Sequence, residues 1–472
     1  IASFRDSLYI PMVLGVGFKV LLFFSLCLFV LLSTNFFLNA LFKLSKEGTA
    51  VHFTHVDYQN QVQNDQLQVH SNMRSERQDT SVIARFLSEH PDALVKCNTT
   101  PALYEYCQEH YEIAWNSGTK QFSEYTAAPF IPEGVPDYTV TTHTSVNRLH
   151  FFPQMRERWT GPISMTLFTL WTEIPLVESF LKTVNGSGVR IVIYLVDNRS
   201  PFSATDNCVY KPQWSDELHR NITTCKPMKN PIYPINTLRR LAINNIHTTH
   251  FVNLDMDLWP SFQLYEGLLR IDAATANADR VAFVLPAFQF TTQVREICKT
   301  EPNCFEQLKK DLPATKADLL NCMHREVCQI ANARLPTHRF VDQAWWTEKQ
   351  PVQTLPCVPF AIMEPYVVMR RTPRSPMYSE HFINYGYNKV QFIDELEHRG
   401  YVFAVLTVGF GFDIPHKPSV YADEYEESWR VKNVINQDVY ADFLQQLHAE
   451  KKETRQPICE YKTALAKYRG SY

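Results

Sequence analysis

Apolar residues along this chain gather in three patterns, and each predicts a different element. The first is one long block: from Val20 to Leu41, VLLFFSLCLFVLLSTNFFLNAL, 22 residues pass without a charge between Lys19 and Lys43. That suffices for the ~20 residues of a membrane-spanning helix and exceeds the ~7–15 apolar residues of a cleaved signal. The second is the short continuous run. ISMTLFTL (163–170) and VRIVIYLVD (189–197) are rich in β-branched and aromatic residues and end at turn signals, which predicts strands covered on both faces. THFVNLDMD (249–257), RVAFVLPAFQF (280–290) and the run opening YVFAVLTVGFGFDIPHKPS (401–419) read the same way. The third is helical spacing. PLVESFLKTV places Leu176, Phe180, Leu181 and Val184 at that spacing, and PINTLRRLAINNIH (234–247) opens with Pro and stripes Ile235, Leu238, Ala242 and Ile246 along one face. Strands alternating with helices predict an α/β layered domain with a mixed, mostly parallel sheet. Its ligand crevice is expected at the carboxyl ends of the strands.

Elsewhere the pattern fades. Residues 44 to about 95 are rich in Gln, Asn, Asp, Ser and His and read as a stem. The Pro-punctuated FIPEGVPDY (130–138) marks a boundary. The expected organisation is a cytosolic tail over 1–19, a transmembrane signal anchor over 20–42, a stem and N-terminal lumenal region over 43–145 and a catalytic domain over 146–472.

Composition sharpens this picture at two points. With 46 basic and 49 acidic side chains, a net charge of −3 and no long block of one sign, the chain shows no footprint for nucleic acid. Four N-x-[ST] triplets, at Asn98, Asn185, Asn198 and Asn221, all follow the apolar block. Of eleven cysteines, Cys27 lies in that block and ten lie beyond it, an even number suited to an oxidising lumen. Cys97 with Cys107, Cys208 with Cys225, Cys298 with Cys304 and Cys322 with Cys328 are spaced for local bridges. The expected topology is that of a type II membrane protein with a lumenal body.

The candidate chemistry sits in FVNLDMDLWPS (251–261). At the end of a strand, alternation would put Asp255 and Asp257 on one side and Met256 on the other. Two carboxylates on one side repel, and a divalent cation sharing its sphere with phosphate oxygens relieves the repulsion. The plain alternative is one Asp capping a helix at Pro260 and Ser261 while the other is solvated. Downstream, the apolar run from 401 stops at a loop carrying Asp413 and His416, and an imidazole completing the set would suit manganese. A phosphatase of the haloacid class also begins with D-x-D, but has Thr or Val where this chain has Trp259.

Several segments together resemble glycosyltransferase family 49, which includes the C-terminal catalytic domain of the LARGE proteins and a β-1,4-glucuronyltransferase acting on xylose. They are WTGPIS (159–164), YPINTLRRLAINN (233–245), NLDMDLWPS, VLPAFQF (284–290), MEPYVVMRR (363–371), FINYGYNKVQFIDELEHRGYVFAVL (382–406) and IPHKPS (414–419). The resemblance implies a GT-A fold and inverting transfer from a UDP-sugar with Mn2+ or Mg2+, glucuronic acid being the first choice of donor ahead of xylose and N-acetylglucosamine. The acceptor would be a glycan such as xylose on a glycoprotein, and the location a Golgi membrane. It makes Asp255, Asp257 and His416 the metal ligands. Asn236, Arg239, Asp255 and Asn388 become donor contacts. Inversion needs a base, for which Glu364, Asp394 and Glu395 are the candidates. Arg370 and Arg371 could pair with a donor carboxylate or form a solvated strand end, and Trp345 with Trp346 could stack on sugar or pack in the core. Unlike the tandem LARGE proteins, this chain has room for one catalytic domain. A homodimer, and an inactive lumenal binding protein on the same fold, remain open.

Overall fold

The computed structural model describes residues 81–96, 106–199, 208–215, 220–227, 230–300, 304–332, 336–360, 362–417, 419–430, 435–453 and 456–459. The chain divides into two units, Ile1–Arg77 and Gln78–Tyr472. The tail, the anchor and most of the stem expected from the sequence lie outside the described residues, among which no helix is long and apolar enough to cross a membrane.

The second unit is built on a sheet of eleven strands among the described residues. The strands that matter for the site are β1 (His110–Asn116), β2 (Tyr138–Ser145), β3 (Ile163–Leu170), β4 (Val189–Val196), β5 (His250–Asn253), β6 (Leu258–Pro260), β7 (Val281–Leu285), β8 (Ala287–Phe290), β9 (Tyr366–Arg370), β10 (Val402–Leu406) and β11 (Gly411–Asp413). Across the main sheet the order is β1, β4, β3, β2, β5, β9, β7, β10. Parallel pairing joins β4 to β3, β3 to β2 and β2 to β5, and also joins β7 to β10. β9 is antiparallel to both β5 and β7. Six strands therefore run one way, with a single reversed strand among them. The edges, where β1 meets β4 and Val352–Thr354 meets β10, are antiparallel.

The continuous apolar runs are central strands, as their pattern predicts. β3 pairs over its full length with β4, from Ile163 opposite Val189 to Leu170 opposite Val196, and Ile163, Met165, Leu167, Ile191 and Ile193 are wholly buried. Each such side chain contributes on the order of 1.5–3 kcal/mol. The domain reaches further toward the N-terminus than expected: β2, ending at Ser145, lies in the middle of the sheet, and β1 lies beside β4. A start at residue 146 would remove a central strand.

RVAFVLPAFQF is two strands. Pro286 cannot donate to a ladder, and the chain leaves the main sheet there. β8 joins a second sheet in the order β6, β11, β8, Cys328–Ile330. Cys208–Ser215 and Arg220–Pro227 form an antiparallel pair for which the sequence held no clear signal. The helix Ile174–Thr183 (α1) buries Ile174, Val177 and Leu181, whereas Leu176 is 56% exposed. Pro175 starts the helix one position early, so the buried stripe runs through Ile174 rather than Leu176. The helix Ile235–Asn244 (α2) buries Ile235, Leu238 and Ala242 as the stripe predicts. Trp345 is wholly buried, its Nε1 donating to the Leu406 carbonyl at 2.8 Å, so it packs in the core.

Disulfides join Cys298 to Cys304 and Cys322 to Cys328, as the spacing suggested, and Cys357 to Cys459 across 102 positions. The expected pairs of Cys97 with Cys107 and Cys208 with Cys225 involve side chains outside the described set.

Candidate functional site

The strand directions decide where the charged residues meet. Asp255 and Asp257 follow the carboxyl end of β5, Asp413 ends β11, and Arg148 lies in a short 3-10 helix, Val146–Phe151, after the carboxyl end of β2. Because β9 is reversed, its first residue, Tyr366, and the preceding Glu364 arrive at the same edge. This edge is where a sheet of this kind holds its ligands.

Asp255 is enclosed by cations. Its Oδ1 lies 3.0 Å from Arg239 Nη2, and its Oδ2 lies 3.1 Å from Lys389 Nζ and accepts from Tyr366 Oη at 2.9 Å. Lys389 also donates to Tyr366 Oη at 3.1 Å. His143 Nε2 is directed at Asp255 Oδ1 from 3.6 Å. Burial opposes charge on the Asp255 carboxyl, but Lys389 and Arg239 overcome it and hold the group well below the usual range. Burial likewise works against the Lys389 ammonium, and Asp255 outweighs it, so Lys389 stays charged.

Asp257 faces a different pair. Its Oδ2 accepts from Arg148 Nη1 at 2.7 Å and stands 2.8 Å from His416 Nε2. His416 Nδ1 lies 2.7 Å from the carbonyl oxygen of Lys417, which can only accept, and 3.1 Å from Arg148 Nη2, which can only donate; the nearer carbonyl assigns the proton to Nδ1. That leaves Nε2 to face the Asp257 carboxylate. Burial disfavours the imidazolium, but the hydrogen bond to Asp257 raises its pKa above the ordinary histidine value. The Asp257 loop is pinned to β11: Ile414 N donates to the Asp257 carbonyl at 2.9 Å, and β6 pairs with β11. Gly411 permits this approach, since a Cβ there would meet the Leu258 side chain at 2.6 Å. Nearby, Asp413 is held by Arg295 at 2.8 Å. Burial pushes the Asp413 carboxyl up, and Asp257 pushes the same way against Arg295.

The other residues singled out from sequence divide sharply. Asn236 is wholly buried. Its Nδ2 donates to the carbonyls of Ser379 and Asn388, and its Oδ1 accepts from Arg239 Nη1 at 3.0 Å. Asn388 Oδ1 accepts from the same Nη1 at 2.8 Å. Both asparagines are committed to aiming Arg239 at Asp255, a positioning task rather than the direct donor contact expected. Asp394 accepts from Tyr440 Oη at 2.5 Å, and burial pushes its carboxyl up to about 7. Glu395 accepts from Gln391 at 3.2 Å and faces Arg399 at 3.8 Å. Neither shares a contact with the Asp255 or Asp257 clusters. Glu364 differs: its charge acts on Lys389, Tyr385 and Tyr425, and among the described residues no side chain forms a hydrogen bond or ion pair with its carboxylate. Arg371 donates to the carbonyls of Pro129 and Ala128, and Arg370 faces Glu133 at 3.6 Å. These contacts hold both arginines to the segment before β2.

Sequence reasoning did not single out His143, Tyr366, Lys389 or Arg295. Tyr366 and Lys389 stand inside the segments MEPYVVMRR and GYNKV, next to residues that were chosen, but only the pairing of β9 with β5 and the place of Lys389 at the start of the helix Val390–His398 (α3), within reach of Asp255, reveal their target. Among the described residues no three His, Cys, Asp or Glu side chains stand ready around a common metal position. The donor chemistry nevertheless fits a divalent cation. Both ring nitrogens of His416 face oxygen acceptors, and a divalent cation would take the place of the Nε2 proton between the imidazole and the Asp257 carboxylate.

Comparisons with known proteins bear on this arrangement. Rat (Rattus norvegicus) "Xylosyl- and glucuronyltransferase LARGE2" is 26% identical over 343 residues, covering 70% of this chain and 40% of the relative. Human (Homo sapiens) "Xylosyl- and glucuronyltransferase LARGE1" is 28% identical over 288 residues, covering 60% and 32%. The chain thus spans a third to two fifths of the length of these relatives. A Pyrobaculum calidifontis mannosyltransferase solved with GDP-Man and Mn2+ superposes over 69% of this chain and 72% of its own, at 11% identity and a TM-score of 0.31, too low for the likeness to carry an argument. The family described as "Glycosyl-transferase for dystroglycan" matches residues 137–451, about two thirds of the chain, and the chain belongs to this glycosyltransferase family.

Proposed function

We propose that the protein is a GT-A type, inverting, metal-dependent transferase that moves glucuronic acid from UDP-glucuronate to a xylose-terminated glycan on a glycoprotein. In this reading it works in the Golgi lumen, tethered by the apolar segment 20–42 as a type II membrane protein. The observation that carries the metal-dependent reading is the 2.8 Å approach of His416 Nε2 to Asp257 with Nδ1 tied to the Lys417 carbonyl.

Asp257 and His416 would hold Mn2+ or Mg2+ with Asp255 beside them. The bound ion would neutralise charge as it develops on the departing diphosphate. The local charge balance supports a dianionic diphosphate. Arg148, Arg239, Arg295 and Lys389 offset Asp255, Asp257, Asp413 and Glu364, leaving a formally neutral cluster. A divalent cation would then leave two positive charges for the diphosphate. Arg239 and Lys389 keep Asp255 ionised, so that no proton has to leave before the cation binds. Glu364, on the same edge, is assigned as the base that takes the proton of the acceptor hydroxyl. The choice of glucuronate rests on the relatives, whose names join xylosyl and glucuronyl transfer.

The test incubates the purified chain with manganese and a panel of UDP-sugars, with and without a xylose-terminated acceptor, alongside Asp257→Ala. Acceptor-dependent UDP release from one donor, absent in the variant, would establish the reading. No release from any donor would leave a binding protein on a transferase fold.

A further inference from the structure

The opposite edge of the sheet carries a second cluster of charge. β7 begins immediately after Arg280, β10 begins immediately after Tyr401, and the reversed β9 ends at Arg370. These residues line a cavity of about 220 Å³ together with Arg374, Arg399, His398 and Lys451. The cavity therefore lies at the amino ends of the co-directional strands, at the far end of β9 from Asp255.

Five formal cations line it against two carboxylates, Asp279 and Glu453. Arg280 is bound to Glu453 and donates to the Arg399 carbonyl at 3.0 Å, while Arg399 pairs with Glu450 at 2.8 Å. Arg370 meets its partner Glu133 only at 3.6 Å. Arg374 and Lys451 form no ion pair among the described residues. Two buried groups are also unsatisfied: the Nε of Arg370 and the Nε2 of His398, a side chain only 4% exposed, have no hydrogen-bond partner. The Arg370 Nε–H, buried behind a wall of guanidinium groups, is costly to leave unmet unless something accepts from it. Guanidinium groups favour acceptors with several oxygens in fork geometry.

We propose that this cavity is a second ligand site, separate from the transferase centre, that takes a tetrahedral oxyanion: a phosphate, free or as a monoester. Arg370 and His398 bind it from the floor, and Arg374 and Lys451 bind it from the rim. No bond is made or broken there. Free inorganic phosphate and a sugar phosphate present the same oxygens, and only the ester carries an apolar or hydroxylated body to be accommodated at the rim.

The test is calorimetric titration of the full chain with inorganic phosphate, a hexose 6-phosphate and inorganic sulfate. It is run on the native protein, on Asp257→Ala to remove the transferase centre as a source of heat, and on Arg374→Glu/Lys451→Glu, whose sites are exposed. Saturable binding of phosphate or the ester, kept in Asp257→Ala and weakened at least tenfold by the double reversal, is the expected result. The tighter of the two probes names the source. Arg370→Gln should weaken binding similarly while UDP release is unchanged. No saturable binding, or binding undiminished by both the double reversal and Arg370→Gln, would overturn the proposal, as would binding of sulfate alone.

Discussion

The residue that most separates the transferase reading from its competitors is Glu364, a carboxylate at the ligand edge with no side-chain partner among the described residues. Glu364→Gln is expected to lower kcat by roughly 10²–10⁴, with manganese-dependent UDP binding retained when measured by calorimetry; an unchanged kcat would place the base elsewhere. Asn236 works at one remove. Asn236→Ala frees the Arg239 guanidinium from one side and strips two carbonyls of their donor, so unfolding free energy should drop by about 1–3 kcal/mol. Because Arg239 would lose its aim at Asp255, kcat/KM should fall further than the same loss of stability at a site away from the edge would cause. Asp394 supplies a pH test. Its carboxyl is raised by burial to about 7 in the folded chain against an unfolded value near 3.9. A raised acid stabilises fully below its unfolded pKa, and that stability is lost as pH rises through about 7. Asp394→Asn keeps a group able to bond Tyr440 and cannot ionise, so its Tm should exceed that of the native chain at pH 8 by a few degrees; the gap should close by pH 4. At this scale the sequence disclosed the anions better than the cations. Asp255, Asp257 and His416 stood in recognisable patterns, whereas Arg148 and Lys389 lie 109 and 134 positions from the aspartates they hold, and no local pattern connects them.

Elements were legible where one force dominated. β3, β4 and β10 are continuous apolar runs because both faces are covered, and periodicity alone exposes them. The signal failed where two influences met in one stretch. RVAFVLPAFQF is uniformly apolar, and only the missing amide of Pro286 tells that it serves two sheets. In α1 the apolar residues could be read onto two stripes, and the position of Pro175 chose between them. Gly386 shows how an element is placed by one atom's absence. Its φ is +93°, and an added Cβ would fall 2.3 Å from the Tyr425 ring on the helix Val420–Arg430 (α4). Gly386→Ala must move either that ring or the loop that leads to Asn388 and Lys389. The expected outcome is a loss of stability of about 1–3 kcal/mol from the backbone strain alone and a larger loss of transferase activity; full activity would show that the loop is not what sets the Lys389 position.

For the molecule as a whole, the Cys357–Cys459 bridge matters more than the two six-residue bridges. It closes 102 positions that include β9, α3, β10 and β11, and a loop of that length is worth about 4–5 kcal/mol in the chain-entropy account. Cys357→Ser/Cys459→Ser should therefore lower the denaturation midpoint well beyond what Cys298→Ser/Cys304→Ser does, as urea titration would read. The reversed strand β9 has a consequence of another kind. Its five residues rise ~3.4 Å each, which puts Tyr366, beside Asp255, and Arg370, beside the basic cavity, roughly 14 Å apart on one stiff segment. Val367, Val368 and Met369 between them are buried, Val367 paired with β7, Met369 with β5 and Val368 with both. The backbone amides of these three residues are natural listening posts: deuterium uptake there should slow when either pole is occupied, so a single peptide could report two ligands at once.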